Sequence, residues 1–180
     1  PLHTCLAIFG CILGYEKISD EMNDAQLKKL VETVGYVEGL PVVVNPGVLD
    51  PKEFIDTVLN VRIPNPFMPD TPQRIATDTS QKLAIRFGET IKAYHKQGLD
   101  KDELVLIPLV LAAYARYLKA VDDNGKPFVP SPDPLLEQLQ KASKTLKSRK
   151  KSRTFPASKS FIQERTFSVL TFTISVLVKG

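Results

Sequence analysis

The chain has 180 residues, 43% of them apolar, which is enough to bury one core and leave a trailing segment. Its net charge of +4 and pI near 9.0 hide a division. Residues 1–140 carry 14 basic and 19 acidic side chains, a net −5, whereas residues 141–180 carry 10 basic side chains and a single acid, Glu164, a net +9. The basicity that would point to a nucleic acid or an anionic surface therefore belongs to the last forty residues alone, and the main part of the chain is mildly acidic.

The chain starts at Pro1 and shows no charged-then-apolar leader, so a missing upstream portion and no signal peptide are expected. Residues 3–15 are apolar almost all round, the pattern of a helix enclosed by its domain, with Gly10 and Gly14 permitting close packing. Cys5 and Cys11 in this stretch have a spacing that suits neither zinc ligation nor a disulfide framework. They read as buried, reduced thiols of an intracellular, cytoplasmic protein that uses no metal.

From Asp24 to Leu40, Leu27, Leu30, Val31, Val34 and Val37 recur at helical spacing, which predicts an amphipathic helix that covers the first one and stops before Pro41. Asp50, Pro51 and Glu53 form an N-cap, a first-turn proline and a capping box, with Phe54, Ile55, Val58 and Leu59 facing the core. Three prolines between Ile63 and Pro69 exclude regular structure and predict a fixed loop. Thr71-Pro72 opens a short helix, and Asp78 to Ser80 offers caps for another through Leu83, Phe87 and Ile91. Asp100 and Glu103 start a helix with a stripe of Leu104, Ile107, Leu111, Tyr114 and Leu118, which Pro108 should kink and the turn at Gly125 should end. The fold class is mainly α.

The tail reads differently. Basic residues crowd between Lys144 and Arg153, and the apolar run over residues 167–178 is rich in β-branched types. That run falls short of the roughly 20 residues a membrane helix needs, so no membrane partner is expected. The predicted organisation is a helical domain over 1–140 and a basic, poorly ordered tail over 141–180.

No glycine-rich phosphate loop of either the P-loop or the dinucleotide type is present, and no nucleophile elbow. On the residues alone, His3 reads as a satisfied structural histidine, and Arg74 and Lys82 as solvated charges. Their setting raises them, because a proline-fixed loop running into a short helix holds side chains still around a pocket.

The segment from Asn65 through Asp70, Arg74, Lys82 and Arg86 to Lys92, together with His3-Thr-Cys-Leu and Leu13-Gly-Tyr, resembles the C-terminal domain of the mannitol dehydrogenase family over residues 1 to about 140. That family comprises metal-independent polyol dehydrogenases and hexuronate reductases, and the form of this segment is nearest to its mannitol 2-dehydrogenases. The resemblance implies the multi-helical, substrate-binding half of a two-domain, NAD-dependent oxidoreductase that interconverts D-mannitol and D-fructose, without the Rossmann half and inactive alone. It implies that the polyol or ketose and that Rossmann domain are the partners. His3 matches the last member of a lysine, asparagine, histidine signature and would position the substrate hydroxyl as part of the catalytic set. The lysine that acts as base and the asparagine would stand before Pro1. Arg74 and Lys82 match residues lining the polyol pocket, where fixed donors suit several hydroxyls.

The family's usual ending is missing, but a shifted reading frame across Thr166 to Lys179 permits it, so the tail is expected to be translated out of frame. Two other readings stand beside the dehydrogenase. One is a nucleic-acid or nuclear-import module using residues 144–153, disfavoured because only Phe155 interleaves that cluster. The other is a non-functional pseudogene product.

Overall fold

The computed structural model describes residues 1–148, and side chains only as far as Ser143. Among them the fold is helical, and strand pairing is limited to one isolated antiparallel bridge between Val121 and Pro127. The expected mainly α class is observed. Most of the tail expected to be out of frame, with its terminal apolar run and most of the basic 144–153 segment, lies outside the described residues.

The apolar stretch at the start forms α1 (Leu2–Leu13), buried on nearly every side and ended by Gly14 in the left-handed conformation at φ 81°. Such a helix needs neighbours all round, and it packs against α2 (Ile18–Glu21), α3 (Ala25–Thr33), α5 (Pro72–Ile75) and α8 (Leu106–Tyr117). Its tightest approach is at Gly10, where an added Cβ would lie 2.7 Å from Pro72 Cγ and 2.2 Å from Glu21 Oε1. A glycine there lets α2 and α5 close onto α1. The other elements are α4 (Pro51–Thr57), α6 (Thr79–Lys82), α7 (Glu89–Gln97) and α9 (Leu136–Ser148). Cys5 and Cys11 are buried, unpaired thiols, and burial raises the Cys11 pKa to about 12.

Several helices do not end where the spacing predicts. The α3 helix continues without a break as a π-helical segment, Val34–Gly39, and a 3₁₀ turn, Leu40–Val42, that takes in Pro41. The π turn holds more residues than an α turn, so the buried position moves from Val37, which is 61% exposed, to Glu38, which is 3% exposed. The α4 helix continues likewise into a π segment, Val58–Arg62, closed by the Ile63 N–H donating to Val58 O at 2.9 Å. Asp50 caps α4 by accepting from the N–H groups of Lys52 and Glu53, but the reciprocal bond from Glu53 does not form, and Phe54 faces outward. A third π segment, Leu83–Gly88, joins α6 to α7.

Pro108 does not kink α8, because the helix starts at Leu106 and the proline falls in its first turn, where it removes no intrahelical bond. The cap is supplied from afar. Glu38 Oε1 accepts from the N–H groups of Val105 and Leu106 at 2.7 and 2.6 Å, and Oε2 from Ile107 at 2.7 Å. Asp133 does the same for α6, accepting from the Ser80 N–H at 2.7 Å and the Ser80 hydroxyl at 2.6 Å, where the sequence pointed to Asp78. The last helix, α9, runs across residue 140, with Leu139 buried and Gln140 Nε2 donating to Leu118 O at 3.1 Å.

Replacing Glu38 by alanine strands three N–H groups at the start of α8 and is expected to destabilise the fold by about 2–5 kcal/mol, read as a lower urea midpoint. A loss below about 1 kcal/mol would mean that water takes over the cap. Glu21 makes a second prediction. Both its carboxyl oxygens are buried without a hydrogen-bond partner, and desolvation raises its pKa from 4.5 to about 9. A carboxyl raised in the folded state contributes stability that is complete below 4.5 and lost as pH climbs toward 9. Between about pH 5 and pH 8 the wild-type chain should therefore lose stability relative to Glu21→Gln, measured by urea melts at both values. Parallel pH profiles for the two proteins would overturn this.

Candidate functional site

The fold holds a cavity of about 610 Å³, a size that suits a small ligand. The start of α1 contributes Leu2 and His3, the segment after α3 contributes Val34, Gly35 and Gly39, and α4 contributes Phe54 and Ile55. The irregular stretch between them adds Val43, Val44 and Leu49. All three π segments reach the cavity, through Val34, Gly35 and Gly39, through Val58 and Arg62, and through Arg86. Extra residues in helical turns re-aim side chains and often mark working sites. Gly35 keeps one wall thin, since an added Cβ would stand 3.2 Å from Leu2 Cδ2 and 3.4 Å from Ile55 Cγ2.

One side is apolar and the other is cationic. His3, Arg62 and Arg86 supply the polar side chains of the lining, and no carboxylate is among them. Arg86 is braced by donating from Nη1 to the buried Thr4 hydroxyl at 2.8 Å. Arg62 is exposed and makes no hydrogen bond or ion pair among the described residues. His3 is half-buried, and burial lowers its pKa below 6.5; Asp70 pulls the other way, while Arg62 and Arg86 push it down further. A neutral imidazole can both accept and donate a hydrogen bond, as a hydroxyl substrate requires.

Of the three residues singled out in the sequence, His3 lines this cavity, and Arg74 and Lys82 are not among the residues that line it. Arg74 Nη1 donates to Asp70 Oδ1 at 3.0 Å and to Pro69 O at 3.2 Å, so it holds the carboxylate that acts on His3. Lys82 Nζ donates to Ile75 O at 2.8 Å, closing the end of α5. Desolvation lowers its pKa first, and the nearby Arg86 guanidinium lowers it further. The structure thus links the three through Asp70 and Arg86. Arg62 and Arg86 were not singled out, although Arg86 lies four residues after Lys82, one turn along the same helix. Among the described residues no group of three His, Cys, Asp or Glu side chains is set to hold a metal ion, and no helix is long and apolar enough to cross a membrane.

The model of the mannitol dehydrogenase C-terminal domain matches residues 2–165. The chain belongs to this family. It is 64% identical over 141 residues to a D-mannonate oxidoreductase of Thermotoga maritima, covering 78% of this chain and 26% of that protein. Against a mannitol 2-dehydrogenase of Aspergillus fumigatus it is 31% identical over 140 residues, covering 77% of this chain and 26% of that protein. Its fold superposes on Pseudomonas fluorescens mannitol 2-dehydrogenase, solved as a ternary complex with NAD and D-mannitol, with a TM-score of 0.72 and 26% identity. That match covers 99% of this chain and 38% of the other. The chain spans about a quarter of the length of these curated relatives. The greater similarity to a D-mannonate oxidoreductase corrects the sequence reading that put mannitol 2-dehydrogenases nearest.

The electrostatics around His3 make a direct prediction. In an NMR titration of the full chain its imidazole midpoint lies below 6.5, moves lower in Asp70→Asn and rises in Arg62→Gln. A midpoint at or above 6.5 in the unmutated chain would contradict the assigned surroundings.

Proposed function

We propose that this chain is the substrate-binding part of an NAD-dependent oxidoreductase that acts on a secondary alcohol of a sugar acid or polyol, with D-mannonate favoured over D-mannitol. The observation that carries this is a cavity lined by His3 together with Arg62 and Arg86, in a chain 64% identical to a D-mannonate oxidoreductase. The D-mannitol and D-fructose pair implied by the sequence resemblance is the second reading, supported by the fold it shares with a mannitol 2-dehydrogenase.

Bound NAD would take up the hydride, and its phosphates need a glycine-rich loop at a helix start that this chain does not contain. A Rossmann-type domain, absent from the 180 residues, is therefore the partner in the reading. His3 would hold the reacting hydroxyl by accepting or donating one hydrogen bond, while the proton leaves to a group outside this chain. Arg74 and Lys82 are proposed as substrate-binding residues. Support for Arg74 is its grip on Asp70, and for Lys82 its closeness to Arg86 on the cavity wall.

The experiment is a domain exchange. Residues 1–140 replace the matched segment of the Thermotoga maritima relative, and NADH formation is followed with D-mannonate and with D-mannitol. The expected result is turnover by the chimera, with D-mannonate preferred, and neither turnover nor NAD binding by the 180-residue chain alone. A chimera that folds yet oxidises neither sugar, or catalysis by the isolated chain, would sink the assignment.

A further inference from the structure

Two guanidinium groups on the cavity remain outside the account given so far. Arg62 closes the π segment after α4, and Arg86 sits in the π segment before α7, far apart in sequence yet both on the cavity lining and both acting electrostatically on His3. A concave wall with two such cations and no lining carboxylate sets up a positive potential that favours an anion. The nearest acid named by the electrostatics, Asp70, is already engaged by Arg74 and does not line the cavity. A neutral polyol would not draw on this charge, whereas a planar carboxylate accepts from guanidinium forks with a geometry that lysine cannot match.

We infer that Arg62 and Arg86 form the carboxylate subsite of this cavity, so that it takes a sugar acid whose carboxylate is held by the two guanidiniums while a hydroxyl along the chain reaches His3. The inference rests on the dehydrogenase reading above and gives it a determinant of substrate choice. The two arginines divide the work. Arg86 is fixed by Thr4 and supplies a stationary donor, and Arg62 has all its donors unspent among the described residues. Arg62 is also exposed, so its replacement leaves the core intact.

The test is a titration of the full 180-residue chain with D-mannonate and separately with D-mannitol at about pH 7.5, following the His3 imidazole by NMR. D-Mannonate should bind more tightly than D-mannitol by roughly 10- to 100-fold, the range for a hydrogen-bonded charge. Arg62→Gln should remove most of that preference, and Arg62→Lys should restore only part of it, because the charge returns without the fork. Arg86→Lys serves as the second variant and should weaken D-mannonate in the same direction.

Equal affinity for the two sugars, a preference untouched by Arg62→Gln, or no shift of His3 with D-mannonate would each overturn the subsite. None of these outcomes bears on whether the exchanged domain supports NADH formation, so failure here and failure of the dehydrogenase reading are told apart.

Discussion

Glu38 accepts three backbone hydrogen bonds from the start of α8 while its own segment, Val34–Gly39, turns its other side to the cavity. Buried N–H groups at a helix start must find an acceptor, and the first turn of α8 lacks a side-chain cap of its own. An α-helical continuation of α3 would bring Val37 inward and leave those donors unmet. The π turn brings in the carboxylate instead, and the same turn places Gly35 and Gly39 on the cavity wall. Closing the bundle and shaping the hollow are therefore one event in the backbone.

The buried helix α1 passes this constraint on to the polar rim. Gly10 lets Pro72 approach, which brings α5 against α1 and with it Arg74 and the Asp70 carboxylate to the side on which His3 lies. The loop through Ser131 and Asp133 ties α5, α6 and α8 together, with the Ser131 hydroxyl donating to Gln73 O at 2.6 Å and Tyr117 OH accepting from the Ser131 N–H at 2.7 Å. Arg86 beside His3 thus rests on a part-buried bond to Thr4 that would leave a polar group stranded if broken. The rim is held by structure that never touches the cavity.

An apolar wall beside a cationic rim divides the labour of recognition. Carbon-bound faces of a sugar chain can lie against Leu2, Phe54 and Ile55, while charge and hydroxyls meet donors opposite them. Family membership is common to a D-mannonate oxidoreductase and a mannitol 2-dehydrogenase, so the family alone does not choose between an acid and a neutral polyol. The proposed choice rests on two guanidiniums, Arg86 half-buried and Arg62 exposed, that differ from hydroxyl donors in charge.

Much of the helical skeleton was legible in the residues. The all-apolar run of α1, the Asp50-Pro51 start of α4, the Thr71-Pro72 start of α5 and the stripe from Leu104 to Leu118 are local patterns, set by spacing and capping chemistry within a few residues. His3, Arg74 and Lys82 could be picked out by resemblance, and of the three His3 lines the cavity. What local pattern does not carry is register in a π turn, where the moved turn exposed Val37 and buried Glu38. Nor does it carry caps donated across 53 residues from Asp133 to Ser80, or the meeting of Arg62 with Arg86 on one wall. Helix existence is decided by the nearest few side chains and was open to the sequence alone. Which charges share a hollow depends on how separately folded turns pack, and only the tertiary structure settled that.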